Sequence, residues 1–225
     1  MLKDHRRVLL YSLLLLVAMV LVFVGVGRHP PSLAPETTFA PIGRVDQAMH
    51  DDIDEIRNVV FSASARALNV IGGGLVTIPL RIAVAVWLAW RRRWRAFAAW
   101  ALTWAMAEIL LSSAKAFFHR GRPPGPLVAT AGFAFPSGHA VAGAATAVAL
   151  VLVLLPAGRN RRKWEAVAVA FASLMAFSRV YLNAHWLSDV VAGVLLGMAV
   201  ALGSAALVTE IRDVAMSRRA PPAPG

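Results

Sequence analysis

The sequence predicts an all-α integral membrane protein with about six transmembrane helices and an amphipathic surface helix. Hydrophobic residues account for 58% of the 225 residues, and the mean hydropathy is +0.63. Both values exceed those of an ordinary soluble domain. Long apolar stretches recur along the chain, separated by short runs of basic residues. We therefore expect one membrane domain over residues 1–215, followed by a disordered tail over residues 216–225.

The first transmembrane helix is predicted near residues 8–27, after Lys3, Arg6 and Arg7. An apolar run of this length can cross a hydrocarbon core of ~30 Å at ~1.5 Å per residue. A cleaved signal peptide is the rival interpretation. Its apolar region would be shorter and would be followed by a small-residue cleavage motif, so the sequence favours an uncleaved span.

Residues 28–66 are predicted to form an extracytoplasmic loop, because prolines interrupt its first part. An amphipathic helix follows within it and is expected to lie on the membrane surface. Its apolar stripe consists of Val45, Met49, Ile53, Ile56 and Val60. Its other faces carry Asp46, Asp51, Asp52, Asp54 and Glu55. These carboxylates could form a metal site, but on the wet face of such a helix they are usually solvated, so we expect no metal.

Five more transmembrane helices are predicted near residues 67–90, 96–115, 138–156, 165–181 and 190–209. The first of these contains Gly72, Gly73 and Gly74. A glycine run can form a phosphate-binding loop, but no P-loop lysine follows this one. We interpret it as a place where helices pack closely.

Two charged residues fall inside the predicted spans. Arg81 and Glu108 lie at a similar depth on antiparallel helices, and an ionisable side chain in the bilayer needs a partner. We therefore predict an ion pair between them. Glu108 lies seven residues before Lys115 and so on nearly the same helix face, which would let the pair support Lys115.

Basic residues cluster at the N-terminus, over residues 91–95, over residues 159–163 and near the C-terminus. With six spans these clusters share one side, which the positive-inside rule assigns to the cytoplasm. The sequence thus predicts a multi-pass protein of the cell (inner) membrane with cytoplasmic termini and an active site on the periplasmic or extracellular side. The net charge of +11 then reflects topology and not nucleic-acid binding. The chain has no cysteine, which excludes disulfides and thiolate chemistry.

Three polar motifs stand at the predicted outer ends of the spans. They read K-A-F-F-H-R-G-R-P from Lys115, P-S-G-H from Pro136 and S-R-V-Y-L-N-A-H-W-L-S-D from Ser178. In the third motif His185 is a candidate nucleophile or proton carrier, and Asp189 follows it by four residues. On a helix these two side chains share one face. The carboxylate can then hold one ring nitrogen and leave the other free to attack.

Lys115, Arg122 and Arg179 are expected at the same membrane face without comparable acidic partners. Such cations repel one another unless an anion lies between them, and a phosphate is the natural occupant. Arg120, inside the first motif, would add to this positive field without a catalytic role. An isolated cation could instead extend to lipid headgroups. Ser137 begins a helix whose backbone N–H groups can point at a phosphoryl oxygen.

Together the motifs match the patterns K-x6-R-P, P-S-G-H and S-R-x5-H-x3-D, and on these residues the chain resembles the type 2 phosphatidic acid phosphatase superfamily. The resemblance implies that His185 attacks phosphorus to give a phosphohistidine and that Asp189 orients it. His139 would act as general acid and then help water to hydrolyse the intermediate. The residues implied to bind the phosphoryl group are Lys115, Arg122, Ser137, Gly138 and Arg179. The resemblance implies no metal and no other cofactor.

The resemblance also implies a membrane lipid phosphatase that acts at the outer leaflet. Its candidate substrates are undecaprenyl diphosphate, phosphatidylglycerol phosphate and phosphatidic acid, and an outward-facing site favours a polyprenyl diphosphate or a phosphatidate. The same phosphohistidine could transfer its phosphoryl group to a hydroxyl acceptor instead of water. The alternative is a non-catalytic membrane protein, such as a lipid transporter, that only binds headgroups and would not need both histidines. The sequence leaves the oligomeric state open.

Overall fold

A computed structural model describes residues 5–26 and 40–217. These residues form eight α-helices and no strand, which confirms the predicted fold class. The helices are α1 (His5–Val26), α2 (Ala40–Glu55), α3 (Val59–Gly72), α4 (Gly74–Trp90), α5 (Trp94–Phe118), α6 (Gly138–Leu154), α7 (Arg159–Tyr181) and α8 (Leu187–Ser217). Residues 28–39 of the predicted loop and 218–225 of the predicted tail lie outside this description. The predicted tail starts too early, because residues 216 and 217 belong to α8.

Within the described ranges, three helices are long and apolar enough to cross a bilayer: α1, α5 and α8. The bent pair of α3 and α4 adds a fourth segment if the two helices form one span. α6 is apolar but has only 17 residues, and α7 begins with a run of basic residues. These two helices correspond to the spans predicted near residues 138–156 and 165–181. The count of six spans therefore stays a prediction.

The second predicted span, residues 67–90, is not one continuous helix. α3 already begins at Val59, and the chain bends by 42° at Gly73 between α3 and α4. The glycines allow close packing, as predicted, because a Cβ on Gly72 would meet the side chains of Met175 in α7 and His139 in α6. The bend thus lets α3 pack closely against helices that carry the second and third motifs.

α8 is the central helix of the bundle and packs against α1, α5, α6 and α7. Its contact with α6 is close because Gly193 and Gly197 lie at the interface; a Cβ on Gly197 would be only 2.6 Å from the carbonyl oxygen of Val141. The N-termini of α6 and α8 consequently lie side by side. The backbone N–H of Ser137 donates to the carbonyl oxygen of Asp189 at 3.0 Å.

The amphipathic helix differs from the prediction in its extent and in its buried face. α2 ends at Glu55, so two residues of the predicted stripe lie beyond it, and Val45 within it is 54% exposed. The buried face keeps Ile53 of the predicted stripe but also contains Asp46, which lies seven residues earlier and therefore on the same side of the helix. The predicted stripe was chosen by apolarity alone and therefore missed Asp46, which is charged but buried.

Candidate active site

The three motifs meet at one end of the helix bundle. Lys115 lies in the last turn of α5, and Arg179 lies in the last turn of α7. Ser137 is the N-cap residue of α6, and Asp189 lies in the first turn of α8. His185 lies in the short connection between α7 and α8. Two helix C-termini and two helix N-termini therefore bring together residues that are distant in sequence.

His185 and Asp189 lie close together, as their spacing predicts, although His185 precedes α8 and is not part of a helix. Both side chains are buried, and Nδ1 of His185 is 3.5 Å from Oδ2 of Asp189. The same Oδ2 accepts a hydrogen bond of 2.9 Å from the backbone N–H of Trp186, the residue before α8. This is one half of a capping box, in which the third helical residue reaches back to the residue before the helix. The cap fixes the orientation of the carboxylate toward His185.

The other ring nitrogen of His185 faces Arg122, with Nε2 3.1 Å from Nη1 of the guanidinium. A guanidinium only donates, so Nε2 is the unprotonated nitrogen and Nδ1 carries the hydrogen toward Asp189. Burial lowers the pKa of His185 to about 4; Asp189 opposes this shift, and the positive charges of Arg122 and Arg179 add to it. His185 is therefore neutral near pH 7, as a nucleophile must be.

Lys115 and Arg122 converge on one carbonyl group in the connection between α5 and α6. The carbonyl oxygen of Phe133 lies 2.5 Å from Nζ of Lys115 and 3.4 Å from Nη2 of Arg122. Arg122 also donates to the backbone carbonyls of Ala131, Gly132 and Ala184. Neither cation has an ion pair with a carboxylate among the described residues. The direct contacts of these two charges are backbone carbonyls and, for Arg122, Nε2 of His185.

Arg179 and His139 are joined through Asn69 of α3, which none of the three motifs includes. Nη1 of Arg179 donates to the side-chain oxygen of Asn69, and Nε2 of His139 lies 3.2 Å from the backbone carbonyl oxygen of Asn69. The sequence gives one signal that Asn69 has a specific role, which is that it is a lone amide inside an apolar run. A polar side chain in a membrane helix needs a partner.

Three polar atoms of the site are buried without a hydrogen-bond partner in the described part of the chain: Oγ of Ser137, Nε of Arg179 and Nδ1 of His185, which lies 3.5 Å from Asp189. Buried polar groups are normally satisfied. A ligand rich in hydrogen-bond acceptors would satisfy Oγ of Ser137 and Nε of Arg179. Gly138 begins α6 next to Ser137, and a Cβ there would meet only Leu111 at an ordinary 3.6 Å, so packing does not require the glycine.

The sequence over residues 96–213, just over half of the chain, matches the family model of the PAP2 superfamily. This protein belongs to the PAP2 superfamily. The matched region of this PAP2 protein contains all three motifs and every residue that the resemblance implied for the site.

The PAP2 protein is similar in fold to two solved structures. A PAP2 type phosphatidylglycerolphosphate phosphatase from Bacillus subtilis superposes with a TM-score of 0.73 at 22% identity, over 90% of this chain and 96% of that chain. LpxE from Aquifex aeolicus superposes with a TM-score of 0.57 at 21% identity, over 70% of this chain and 93% of that chain. No curated protein matches the sequence significantly. At these identities the similarity concerns the fold.

The PAP2 site also contains buried charges that the motifs do not reveal. Arg120 is 3% exposed, and its Nη1 lies 2.5 Å from Oδ1 of Asp189. Its Nη2 lies 2.7 Å from Oδ2 of Asp46 in α2. The expectation that Arg120 adds to the positive field around the ligand is wrong, because two carboxylates neutralise it. The expectation that Asp46 is solvated is also wrong, since only 2% of it is exposed.

The two arginines of the first motif differ in pKa accordingly. Burial lowers the pKa of Arg120, but Asp189 and Asp46 raise it by more, so the net shift is upward. Burial lowers the pKa of Arg122, and Asp189 offsets this only in part. Arg122 is thus the less stabilised cation of the two, and a bound anion would restore what burial removes.

The ion pair predicted between Arg81 and Glu108 is confirmed, with Nη1 2.8 Å from Oε1. The guanidinium also lies over the ring of Trp104, 3.2 Å from the ring centroid. Both charged residues line a cavity of about 190 Å³ that extends to His139. The amine of Lys115 contacts Phe133 and not this pair, so support of Lys115 by the pair stays a prediction.

Residues 5–26 and 40–217 contain no group of three or more histidines, aspartates and glutamates that could hold a metal ion. The acidic residues of α2 therefore do not assemble into such a group, and one of them is committed to Arg120.

Proposed function

We propose that this PAP2 protein is a membrane lipid phosphatase that cleaves a phosphate or diphosphate ester through a phosphohistidine intermediate. The observation that carries the proposal is the position of His185. Its unprotonated Nε2 lies 3.1 Å from a guanidinium nitrogen of Arg122, and its Nδ1 lies 3.5 Å from a carboxylate oxygen of Asp189. An imidazole held between a carboxylate and a cation is suited to attack an electrophile that the cation binds.

The electrophile would be a phosphoryl group bound by the unneutralised cations of the site. Lys115, Arg122 and Arg179 have no carboxylate partner among the described ion pairs, and phosphate oxygens would balance their charge. Oγ of Ser137 and Nε of Arg179 have donor capacity that no other group within residues 5–26 and 40–217 uses. Backbone N–H groups at the start of α6, at Gly138, would add to the binding of the anion.

In the proposed first step, the lone pair on Nε2 of His185 attacks phosphorus, and the bond from phosphorus to the leaving oxygen breaks. His139 in its protonated form gives its proton to that oxygen. Asp189 stabilises the positive charge that develops on the imidazole of His185. Lys115, Arg122 and Arg179 stabilise the charge on the transferred phosphoryl group.

In the second step, a water molecule attacks phosphorus, and the bond between phosphorus and Nε2 breaks. His139, now neutral, takes a proton from the water and is ready for the next turnover. Inorganic phosphate leaves, and the lone pair returns to His185. The guanidinium, ammonium and N–H groups supply the positive charge that a metal ion supplies in other phosphatases, so we expect no metal requirement.

The proposed substrates are undecaprenyl diphosphate, phosphatidylglycerol phosphate and phosphatidic acid. The Bacillus subtilis protein of similar fold is a phosphatidylglycerolphosphate phosphatase, which keeps that lipid in the set. Apolar side chains are exposed along the helices around the bundle, for example Leu110 and Phe117 on α5. A substrate whose tail stays in the bilayer while its phosphate enters the site suits this surface.

The experiment is a phosphate-release panel in detergent that compares lipid monophosphates and diphosphates, with and without a chelator. We expect release from at least one lipid class, unchanged by the chelator, and no release by the His185→Ala variant. The variant must elute as the wild type does in size-exclusion chromatography, so that loss of activity is not loss of fold. Full hydrolysis by folded His185→Ala would contradict the phosphohistidine. A strict requirement for added divalent metal would contradict the proposed charge stabilisation.

The proposal includes a topology in which the site faces the periplasm or the exterior and both termini face the cytoplasm. Because the chain has no cysteine, single cysteines can report the side of each loop. Ala129→Cys lies in the connection that carries Arg122, and Asn160→Cys lies in the basic segment at the start of α7; both positions are exposed. A membrane-impermeant maleimide should label the first variant in intact cells and the second only after lysis. The reverse pattern would invert the topology.

A further inference from the structure

α2 lies outside the residues that match the PAP2 family model, yet one of its side chains reaches the site. Asp46 is 2% exposed, whereas the other acidic residues of α2 are exposed, namely Asp51, Asp52, Asp54 and Glu55. Burial of a carboxylate is costly unless the group is paired and hydrogen-bonded. The contacts of Asp46 therefore indicate what its burial achieves.

Asp46 binds both Arg120 and the residue next to Asp189. Its Oδ2 lies 2.7 Å from Nη2 of Arg120 and accepts a hydrogen bond of 2.6 Å from Oγ of Ser188. Its Oδ1 accepts a hydrogen bond of 2.8 Å from the backbone N–H of Ser188. Nη1 of Arg120 in turn donates to Oγ of Ser188 at 2.7 Å. All the polar hydrogens of Ser188 and both carboxylate oxygens are thus used.

Arg120 links this cluster to the nucleophile. Its Nη1 lies 2.5 Å from Oδ1 of Asp189, and Oδ2 of Asp189 lies 3.5 Å from Nδ1 of His185. The buried groups therefore alternate in the order carboxylate, guanidinium, carboxylate and imidazole, from Asp46 to His185.

The alternation matters because buried charges interact strongly. Without Asp46, the positive charge of Arg120 would cancel the negative charge of Asp189, and His185 would face a neutral pair. With Asp46, two carboxylates and one guanidinium carry a single net negative charge. That charge is available to the imidazole when attack on phosphorus makes the ring positive.

We infer that Asp46 is a positioning residue for the reaction: it neutralises Arg120 and holds Ser188, so that Asp189 keeps its full negative charge for His185. The inference rests on the proposed function, because only a nucleophilic His185 needs that charge. It also assigns to α2, an element outside the family match, a part in the chemistry beyond its packing on the bundle.

The other charged and titratable groups around His185 do not supply this negative charge. Arg122 approaches from the connection after α5, Arg179 from α7 and His139 from α6. Lys115 at the end of α5 is a further cation in the site. Every one of these groups is cationic or neutral, so the carboxylates of the alternating cluster have to provide the counter-charge.

On the other side of the cluster, His50 is the titratable group of α2 nearest in sequence to Asp46 on the buried side of the helix. Its ring packs edge to face against Trp186, with the centroids 5.7 Å apart. The guanidinium of Arg120 lies 5.8 Å from the same indole ring. His50 contacts the apolar ring and not Asp46, so the balance of charge around Asp46 is set by Arg120.

The first test compares phosphate release by the wild type and by Asp46→Asn in detergent. Asparagine keeps the size of the side chain and its acceptor for Ser188 but carries no charge. We expect kcat to fall about tenfold, the equivalent of one pKa unit. KM should stay within about twofold, because Asp46 does not touch the substrate.

The pH profile separates this role from a merely structural one. The acid limb of kcat/KM reports the protonation of His185 in the free enzyme. Loss of a nearby negative charge lowers the pKa of His185, so the limb of Asp46→Asn should move to lower pH by roughly half a unit or more. Because both proteins are assayed with the same lipid, titration of the substrate cancels. A lower plateau with an unmoved limb would overturn the inference.

Removing Arg120 as well gives a second, independent test. In the double variant Asp46→Asn/Arg120→Met, the buried pair becomes uncharged and Asp189 again carries an unopposed negative charge. We expect the double variant to recover part of the kcat that Asp46→Asn loses. Asp46→Glu, which keeps the charge, should retain the acid limb of the wild type even where its kcat falls. A double variant at or below the rate of the single variant contradicts the charge argument.

Asp52→Asn is the matched control, since it makes the same substitution on the exposed face of α2. Its rate and pH profile should equal those of the wild type. All variants are compared by thermal unfolding in the same detergent. His185→Ala in the same assay separates failure of the proposed function from failure of the inference about Asp46. If it releases phosphate like the wild type, the proposed function fails; if it is inactive while Asp46→Asn equals the wild type in kcat and profile, only the inference about Asp46 fails.

Discussion

Arg120 and Arg122 are two residues apart in one motif, but their surroundings are opposite. Arg120 is buried between the carboxylates of Asp46 and Asp189. Arg122 donates to backbone carbonyls and faces the unprotonated nitrogen of His185, without a carboxylate contact among the described residues. The charge of Arg120 is balanced inside the protein, whereas that of Arg122 would, in the proposed function, be balanced by the bound phosphate.

The net charge around a site therefore does not indicate which cations are available to a ligand until the partner of each charge is known. Both guanidinium groups lie near Asp189, yet only Arg120 touches it. The two carboxylates that bind Arg120 therefore set the charge on the Nδ1 side of His185, whereas Arg122 sets the charge on the Nε2 side. Replacing the two arginines should therefore have different consequences.

The largest effect is expected at His185, which lies between Asp189 on one side and Arg122 on the other. His185→Ala removes the attacking nitrogen, so phosphate release should fall by roughly a thousandfold or more. The fall should appear in kcat under saturating lipid. If imidazole added to the buffer partly restores release by His185→Ala, the missing ring is the cause of the loss. Residual activity within tenfold of the wild type would contradict the prediction.

Among single substitutions of the charged residues of the site, Arg120→Ala should be the most destabilising. It leaves two buried carboxylates without their shared partner, and breaking a buried ion pair in this way costs roughly 3–5 kcal/mol of the free energy of unfolding. Thermal unfolding in detergent, read against the wild type, measures the loss. If Arg120→Ala and Arg122→Ala unfold at the same temperature, Arg120 does not stabilise the fold more than Arg122 does, and the prediction is wrong.

Arg122→Ala should instead be nearly as stable as the wild type but strongly impaired in catalysis. It removes a donor to the developing charge on the phosphoryl group, which is worth roughly a hundredfold in kcat. Arg122→Lys keeps the charge but loses the planar fork, and should recover only part of the rate. Full activity of Arg122→Ala would mean that its charge does not act on the substrate.

The same variant should move the acid limb of the pH profile in a defined direction. The positive charge of Arg122 helps to lower the pKa of His185 to about 4, so its removal raises that pKa. His185 then takes up a proton at higher pH, and the acid limb of kcat/KM should shift upward by roughly one unit. This shift is opposite in sign to that expected for Asp46→Asn. Shifts of the same sign in Arg122→Ala and Asp46→Asn would refute the view that His185 has a positive charge on one side and a net negative charge on the other.

The smallest effect is expected away from the motifs, at the pair of Arg81 and Glu108. Glutamine at position 108 keeps an oxygen that can accept a hydrogen bond from Arg81, and the guanidinium of Arg81 also keeps its contact with the ring of Trp104. Glu108→Gln should therefore lower the free energy of unfolding only slightly and leave phosphate release within about twofold of the wild type. A large loss of activity would show that the pair supports Lys115 after all.

The motif residues could be predicted because they match three spaced patterns of a known family, and the proposed contact with a phosphoryl group would restrict both residue type and spacing. His185 and Asp189 meet because four residues separate them at the start of a helix, which is a local property of the chain. The pair of Arg81 and Glu108 was predictable for a similar reason, since two lone charges in apolar helices must find each other.

The bend at Gly73 and the role of Asn69 were not predictable in this way. A glycine run in an apolar segment is compatible with a straight or a bent helix, and packing against Met175 and His139 decides between them. Asn69 contributes to the site only because the bend brings α3 against α7.

Apolarity, helical periodicity and short-range spacing by themselves determined that this chain is a helical membrane protein of the PAP2 superfamily, because each of these depends on neighbouring residues alone. The partners of Asp46 and Arg120 were decided only by the tertiary structure. Whether a carboxylate on an amphipathic helix is solvated or buried depends on which face of α2 docks, and that choice is made by contacts with Ser188 and Arg120, which lie far away in the sequence.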